Sequence, residues 1–292
     1  MRRFLKYTLL FGTLLNATVS LNAQFTPYYQ YAVVRELADS FEDSLKLNTP
    51  MTPIDLQLAK QQHHNYITLL ETLIPHVIKL DADPLHPDCN FVEDTALIVD
   101  DIAVVSRMGA IERRGEEEAV REQLQKLGVC TIVSLESPCT MDGGDILFTG
   151  KHLFVGLSKR TNDHTLNKLK EIFRNKVEVI GIPVTEGLHL KSVMSLFDTD
   201  TLIVASTTAG NKILNHIESS TNGDYTFVLV PDSAASNVLR IGSSLIVQSG
   251  FPASEAILQK LCERNFVTML PINMSEIIKA DGALTCGSIL FN

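Results

Sequence analysis

Cys286, His189 and four acids (Glu93, Asp94, Asp142 and Asp145) stand at or beside the starts of short apolar segments. Polar groups in such places are costly when buried without partners, so their positions call for a reason. A cysteine, a histidine and a carboxylate from different segments can form a nucleophilic triad. The thiolate attacks, the imidazole moves protons and the carboxylate orients the imidazole. A single Cys and a single His carry that reading only weakly, because most cysteines are simply core. Of the five cysteines (Cys89, Cys130, Cys139, Cys262 and Cys286), none forms a CxxC pair, and no Cys/His set has zinc-finger spacing. A structural zinc site is therefore not expected, and an odd count leaves at least one thiol unpaired within the chain.

Composition narrows the class. The chain has 292 residues, 45% hydrophobic and 20% charged, which excludes disordered, collagen-like and disulfide-scaffold classes. Against 25 Lys and Arg stand 34 Asp and Glu, a net charge of −9. That balance argues against a nucleic-acid partner, which needs a positive footprint, and suits a small cationic ligand. No apolar run is long enough for a membrane span, and no glycine-rich phosphate loop or dinucleotide fingerprint is present. Residues 1–23 differ from the rest: Arg2, Arg3 and Lys6, an apolar run from Tyr7 to Leu15, small and polar residues to Ala23, and no acid before Glu36. They resemble a secretory signal cleaved after Ala23, although Leu21 fits the −3 position poorly. A buried amphipathic segment and a mitochondrial presequence are the alternatives. Residues 24–292 are then expected to form one catalytic domain, in the secretory pathway or, without a signal, in the cytoplasm. Asn273-Met274-Ser275 is a glycosylation sequon that matters only to a secreted chain.

The elements that must position these residues repeat. Three segments share one order: a polar pair, a short strand, a tight turn, a second strand, a loop and an amphipathic helix. The strands are ALIV and IAVV, ILF and LFVG, and VLRI and LIV, with helices from about Glu116, His164 and Ser254. A looser copy (VMSLF, TLIVAS and a helix from about Gly210) lies between the last two. Equivalent positions are Asp94, Asp145, Lys191 and Asn237, at intervals of 51, 46 and 46, and 49 more residues reach Cys286. The C-terminal tail has room for one strand alone, so the N-terminal strand YAVVR and the amphipathic stretch Asp55 to Leu73 must complete its unit. Five β-β-α units closed by pairing the termini predict a small propeller, with equivalent positions gathered around one axis. An open α/β sheet with chance similarity is the alternative.

Several blocks in this order go further: YAVVR (31–35), PDCNFVED (87–94), MDGGDILFTG (141–150), FVGLSKRTN (154–162), GLHLKS (187–192) and DGALTC (281–286). Together they resemble the dimethylarginine dimethylaminohydrolase family, from about residue 31 to the C-terminus. The resemblance implies the pentein fold, a five-bladed α/β propeller with pseudo-fivefold symmetry. It implies hydrolysis of asymmetric dimethylarginine and monomethylarginine to citrulline and dimethylamine or methylamine through a covalent Cys thiouronium, relieving inhibition of nitric oxide synthesis. By motif, Cys286 looks like the nucleophile, His189 the general acid/base and Asp142 its carboxylate partner. Asp88, Glu93 and Asp94 look like the guanidinium clamp, and Arg113 and Arg160 the pair that holds the substrate α-carboxylate. Ala280 occupies the position whose backbone meets the substrate amino end, and a lid contact falls near Leu45–Leu47. No cofactor or metal is implied, although Cys286 and His189 could bind inhibitory zinc. The partner is a small molecule, with monomer and homodimer both open.

Physical logic fits these roles, since a guanidinium is a planar fork of donors that paired carboxylates match. Bland readings stand beside them. Asp142-Gly143-Gly144-Asp145 could be only a turn, Arg113-Arg114 a solvated helix start, Lys159-Arg160 a surface loop and Asp88 a loop acid. Some relatives carry two adjacent cysteines at the active-site strand, whereas here Gly287 follows Cys286. An arginine deiminase, an amidinotransferase or a non-catalytic binding protein on the same scaffold are the rivals.

Overall fold

Short strands bury too little alone, and in this chain they pair three by three. The computed structural model describes residues 28–292 except 129 and 130, so the signal-like segment 1–23 lies outside the described residues. Blade 1 is β3 (Ala96–Val99), β4 (Ile102–Val105), α2 (Glu116–Leu127) and β5 (Thr131–Ser134). Blade 2 is β6 (Ile146–Phe148), β7 (His152–Leu157), α3 (Asp163–Phe173) and β8 (Glu178–Pro183). Blade 3 is β9 (Met194–Asp198), β10 (Thr201–Ala205), α4 (Thr208–Ser220) and β11 (Thr226–Val230). After the one-turn helix α5 (Ser233–Ser236), blade 4 is β12 (Leu239–Ile241), β13 (Ser244–Gln248), α6 (Pro252–Arg264) and β14 (Thr268–Ile272). After the one-turn helix α7 (Ser275–Ile278), the fifth blade joins β15 (Ile289–Phe291) to β1 (Tyr31–Arg35), α1 (Leu56–Leu73) and β2 (His76–Leu80).

The five three-stranded sheets make the α/β propeller expected from the repeat. In each, the first two strands are antiparallel and the third lies parallel to the second, across the helix. The unit is thus β-β-α-β; the β-β-α unit read from sequence lacks this outer strand in every blade. Closure occurs as expected, with Tyr31 opposite Phe291 and Val33 opposite Ile289. Tyr31 also stacks on Phe291 and His76.

Local chemistry sets these elements. Asp100 takes φ 51° in the β3–β4 turn, a conformation Asp tolerates, and glycines at φ 83° and 54° (Gly150 and Gly242) serve blades 2 and 4. Side chains of Asp55, Asn162 and Thr207 cap α1, α3 and α4. Each helix buries one stripe: Tyr66, Ile67 and Leu70 on α1, Leu166, Leu169 and Phe173 on α3, Leu258 and Cys262 on α6. Each such side chain contributes about 1.5–3 kcal/mol of burial. Among the described residues, no helix is long and apolar enough to cross a membrane.

One feature of every blade matters most for chemistry. A single helical turn precedes each inner strand: Val92–Thr95, Gly143–Asp145, Leu190–Ser192, Ser233–Ser236 and Thr285–Gly287. The ring brings the turns of different blades against one another.

Candidate active site

The residues singled out from the sequence lie on or beside these turns. His189 precedes the blade-3 turn, where its N–H donates to Ser192 Oγ (3.2 Å) and the next amide, Leu190, to Asp145 Oδ1 (2.9 Å). Ser158 Oγ donates to the other Asp145 oxygen at 2.6 Å, so Asp145 ties blade 2 to the backbone that carries the histidine. The imidazole Nε2 lies 3.1 Å from Asp142 Oδ2, on the adjoining blade. Asp142 is fully buried and has further donors in Gly109 N (2.9 Å) and Arg160 Nη1 (3.0 Å).

The two glycines after Asp142 permit close approach rather than unusual dihedrals. A Cβ on Gly143 would meet Glu93 O at 2.0 Å, and one on Gly144 would meet His189 Nδ1 at 2.5 Å. The segment 142–145 does turn, but its glycines are demanded by the histidine ring and the neighbouring backbone.

Electrostatics prepare a proton donor. Burial opposes a charged His189, but the charge of Asp94, the hydrogen bond to Asp142 and the charges of Asp145 and Asp142 outweigh it, raising its pKa to about 9. Asp94 is lowered to about 2, because His189 and Arg113 overcome its burial. Asp94 Oδ1 accepts from Gly144 N (2.8 Å) and Oδ2 from Arg113 Nη1 (2.6 Å).

Cys286 sits mid-turn, held from behind by Tyr66, whose hydroxyl bonds Leu284 O and Ser288 Oγ at 2.8 Å each. A Cβ at Gly287 would strike the Tyr66 ring at 2.7 Å, so this packing leaves no room for a second cysteine there. Burial first, then the charges of Glu93 and Asp94, push the Cys286 thiol well up, so it is protonated before a ligand arrives.

Cys286 and His189 line a cavity of about 190 Å³, together with Leu188, Asn237 and Asp281. Both also line a narrow adjoining cleft that brings in Asp88, Asp94, Arg113, Arg160, Ala280 and Leu45. Over the mouth, Leu45 N donates to Asp88 Oδ2 (3.1 Å) and Leu47 N to Asp281 Oδ2 (2.5 Å), so the loop expected near Leu45–Leu47 is tied at both residues. Burial raises the Asp88 pKa against the pull of Arg113.

Two sequence-derived positions differ in detail. Glu93 lines the axial cavity on the other side, about 170 Å³, with Lys191, Thr285 and Tyr29. Its oxygens accept from Lys191 Nζ (2.5 Å) and Thr285 Oγ1 (2.9 Å), and burial raises its pKa despite Lys191. Arg113 is no solvated helix start: it is 3% exposed, with Glu116 bound through Nε and Nη2, Asp94 through Nη1, and the Phe91 carbonyl also taken by Nη2. It braces Asp94 and leaves one Nη1 hydrogen for any substrate carboxylate. Arg160, 15% exposed at its side chain, is the more open of the pair.

No motif marks Lys191, Asn237, Thr285 or Ser158 for a role in the site, although Lys191 and Asn237 are visible as equivalent repeat positions; Asp145, singled out only as one of the acids at strand starts, turns out to hold the His189 segment. Among the described residues, the three-donor group close enough to share an ion is Asp94, Asp142 and His189, within 4.8 Å. Arg113, Arg160 and Gly144 already engage its carboxylates, which suits proton handling, and Cys286 is not part of it.

An arginine deiminase family profile matches residues 81–286. N(G),N(G)-dimethylarginine dimethylaminohydrolase of Pseudomonas aeruginosa is 27% identical over 266 residues, 90% of this chain and 100% of that one. The Streptomyces coelicolor protein of the same name is 28% identical over 260 residues, 88% and 95% of the two chains. A solved structure of the Pseudomonas aeruginosa enzyme, a cysteine-to-serine mutant complexed with citrulline, superposes with a TM-score of 0.80 at 26% identity, over 90% of this chain and 100% of that one.

Proposed function

The chain belongs to the arginine deiminase family, and from that premise we propose that it hydrolyses Nω-methylated arginines to citrulline and the corresponding methylamine. The observation that carries this reading is a charged His189, bonded to Asp142, lining one cavity with the Cys286 thiol beside the Asp88 and Asp94 carboxylates.

The geometry supports a sequence of steps. A guanidinium cation entering beside Asp88 and Asp94 offsets the negative field that keeps Cys286 protonated. The thiol then releases its proton to solvent, because His189 is already protonated, and the thiolate attacks the guanidinium carbon, forming a C–S bond. The C–N bond to the methylated nitrogen breaks as His189 gives that nitrogen its proton, and the methylamine leaves. Neutral His189 next takes a proton from water as the water attacks the thiouronium carbon. As the C–S bond breaks, the adduct's hydroxyl gives up its remaining proton to form the C=O, that proton returns Cys286 to the thiol, and citrulline departs. Asp142 stabilises the charged ring and fixes its orientation. Asp94, pinned by Arg113, stays ionised throughout. Arg160, with the remaining edge of Arg113, offers the contact for the substrate α-carboxylate. Nucleophile, acid and water account for the reaction without a cofactor.

The test is citrulline release from asymmetric dimethylarginine, monomethylarginine and free arginine, beside Cys286→Ser. Turnover of the methylated substrates, lost in the mutant while binding persists, is expected. Turnover of free arginine alone would make the protein a deiminase instead. Residues 1–23 support export, for which the mature protein would begin at Gln24.

A further inference from the structure

Four hydrogen bonds around the axis close a circuit through four blades. Asn237 Nδ2 donates to Lys191 O and to Thr285 Oγ1, each at 3.0 Å. Thr285 Oγ1 donates to Glu93 Oε2 at 2.9 Å, and Lys191 Nζ returns to Glu93 Oε1 at 2.5 Å. Asn237 Oδ1 also accepts from Thr285 N at 3.0 Å, on the turn that carries Cys286. Asn237 is 1% exposed, and both of its amide hydrogens are committed, to Lys191 O and to Thr285 Oγ1. Its orientation is unambiguous, since a carbonyl can only accept and a backbone N–H can only donate. The circuit also has a direction. Because Thr285 Oγ1 accepts from Asn237, its single proton goes to Glu93.

We propose that Asn237 and Thr285 are positioning residues of the reaction: Asn237, acting through Thr285, fixes both the Glu93 carboxylate and the turn that presents the Cys286 thiol. The inference rests on the methylarginine reading of the site. The circuit stands between the two axial cavities, with Lys191 lining both, Glu93 and Thr285 facing one, and Asn237 facing the other beside Cys286. Buried Glu93 stays charged only with donors on both oxygens. Its charge is the first that Cys286 feels after burial itself, and it is charge that an incoming guanidinium offsets. Nothing in the motif around Asn237 suggests this, because its partners lie 46 and 48 residues away.

The test compares Thr285→Val, Thr285→Ser, Asn237→Ala and the double variant Asn237→Ala/Thr285→Val by steady-state kinetics, with circular dichroism confirming the fold. A lost hydrogen bond to a charged group predicts that Thr285→Val raises KM about tenfold with kcat within about threefold of wild type. Thr285→Ser keeps the hydroxyl and stays within about threefold of wild type in KM. Asn237→Ala raises KM and lowers kcat, because it also frees the Cys286 turn. The double variant raises KM by less than the product of the single effects, as residues acting through one another must. A second readout needs no substrate: iodoacetamide should alkylate Cys286 faster in Thr285→Val, because a weakened Glu93 charge lets the thiol ionise. Wild-type turnover with Thr285→Val unchanged in both KM and alkylation overturns the circuit alone, as does a serine variant as impaired as the valine. Absence of methylarginine turnover by the wild type, with alkylation unchanged in Thr285→Val, overturns both readings. Absent turnover with faster alkylation overturns the functional reading and upholds the hold on Glu93 and Cys286.

Discussion

Gly144→Ala tests how tightly the site holds its proton donor. The residue lies at no left-handed φ, so its backbone accepts alanine. In an open position the change would stabilise the fold by about 0.4–1 kcal/mol through the unfolded chain. Here the added Cβ falls 2.5 Å from His189 Nδ1 and 3.0 Å from Asp94 Oδ1. Ordinary contact begins at 3.4 Å, so the ring must retreat by about 0.9 Å. Retreat is opposed by Asp142, whose Oδ2 is 3.1 Å from the ring's far nitrogen and is itself held by Arg160. A displacement of that size at a reacting group costs on the order of a hundredfold in rate, or about 2.7 kcal/mol of barrier. The assay is citrulline release at saturating substrate, with the thermal midpoint measured in parallel. A drop of about two orders of magnitude in kcat, with a folded protein and near-normal ligand affinity in a Cys286→Ser background, is expected. A folded Gly144→Ala enzyme with kcat within about threefold of wild type would refute the claim that contact with Gly144 sets the ring position.

Asp142→Asn removes a charge, and leaves only a neutral acceptor, where Asp142 helps raise the His189 pKa to about 9. The ring then loses its proton at lower pH, so the alkaline limb of kcat moves down in a pH–rate profile; an unmoved limb would rule out Asp142 as the partner. The sign is the same for stability: a raised histidine stabilises the fold fully below about 6.5 and less as pH climbs toward about 9, so the mutant's urea midpoint should depend less on pH in that window. Glu93→Gln deletes the first charge that pushes the Cys286 thiol up, so iodoacetamide alkylation at pH near 8 should speed up while KM for the methylated substrate rises; slower alkylation would reverse the assigned field. Arg113→Met strands the buried Asp94 and Glu116 carboxylates and should cost about 3–5 kcal/mol in urea unfolding, where a loss under about 1 kcal/mol would return Arg113 to a mainly ligand-facing role.

What could be read from the chain, and what could not, divides along physical lines. Inner hairpins were legible because both strands are largely buried and joined by turn residues, as in Ala96–Val99 and Ile102–Val105. The outer strands were not. Thr131–Ser134 and Thr226–Val230 are half-exposed at sheet edges, and each pairs in parallel across a helix, so neither alternation nor a nearby turn marks them. In the site, Cys286, His189 and the acids announced themselves as reactive or charged groups where a strand should start. Apart from the family resemblance, the chain offers Arg113 only the bland reading of a solvated helix start, because its counter-charges divide between Glu116, three residues on, and Asp94, nineteen residues back.

Asn237 and Thr285 carry no reactive atom, and their importance lies in which proton points where. The ring architecture explains why such residues can matter as much as the acids. Each blade delivers one short turn to the axis, and side chains from several blades crowd together there: Glu93 of blade 1 meets Lys191 of blade 3, and Asp94 of blade 1 meets His189. A carboxylate in that crowd keeps one orientation toward a thiol only when intermediaries hold it. Lys191, Asn237 and Thr285 are those intermediaries for Glu93, as Asp145 and Ser158 are for His189. On this argument the reactive groups alone, placed on the same scaffold without these amides and hydroxyls, would give a binding protein with an idle thiol. A chain with all of them in register has the geometry of an enzyme.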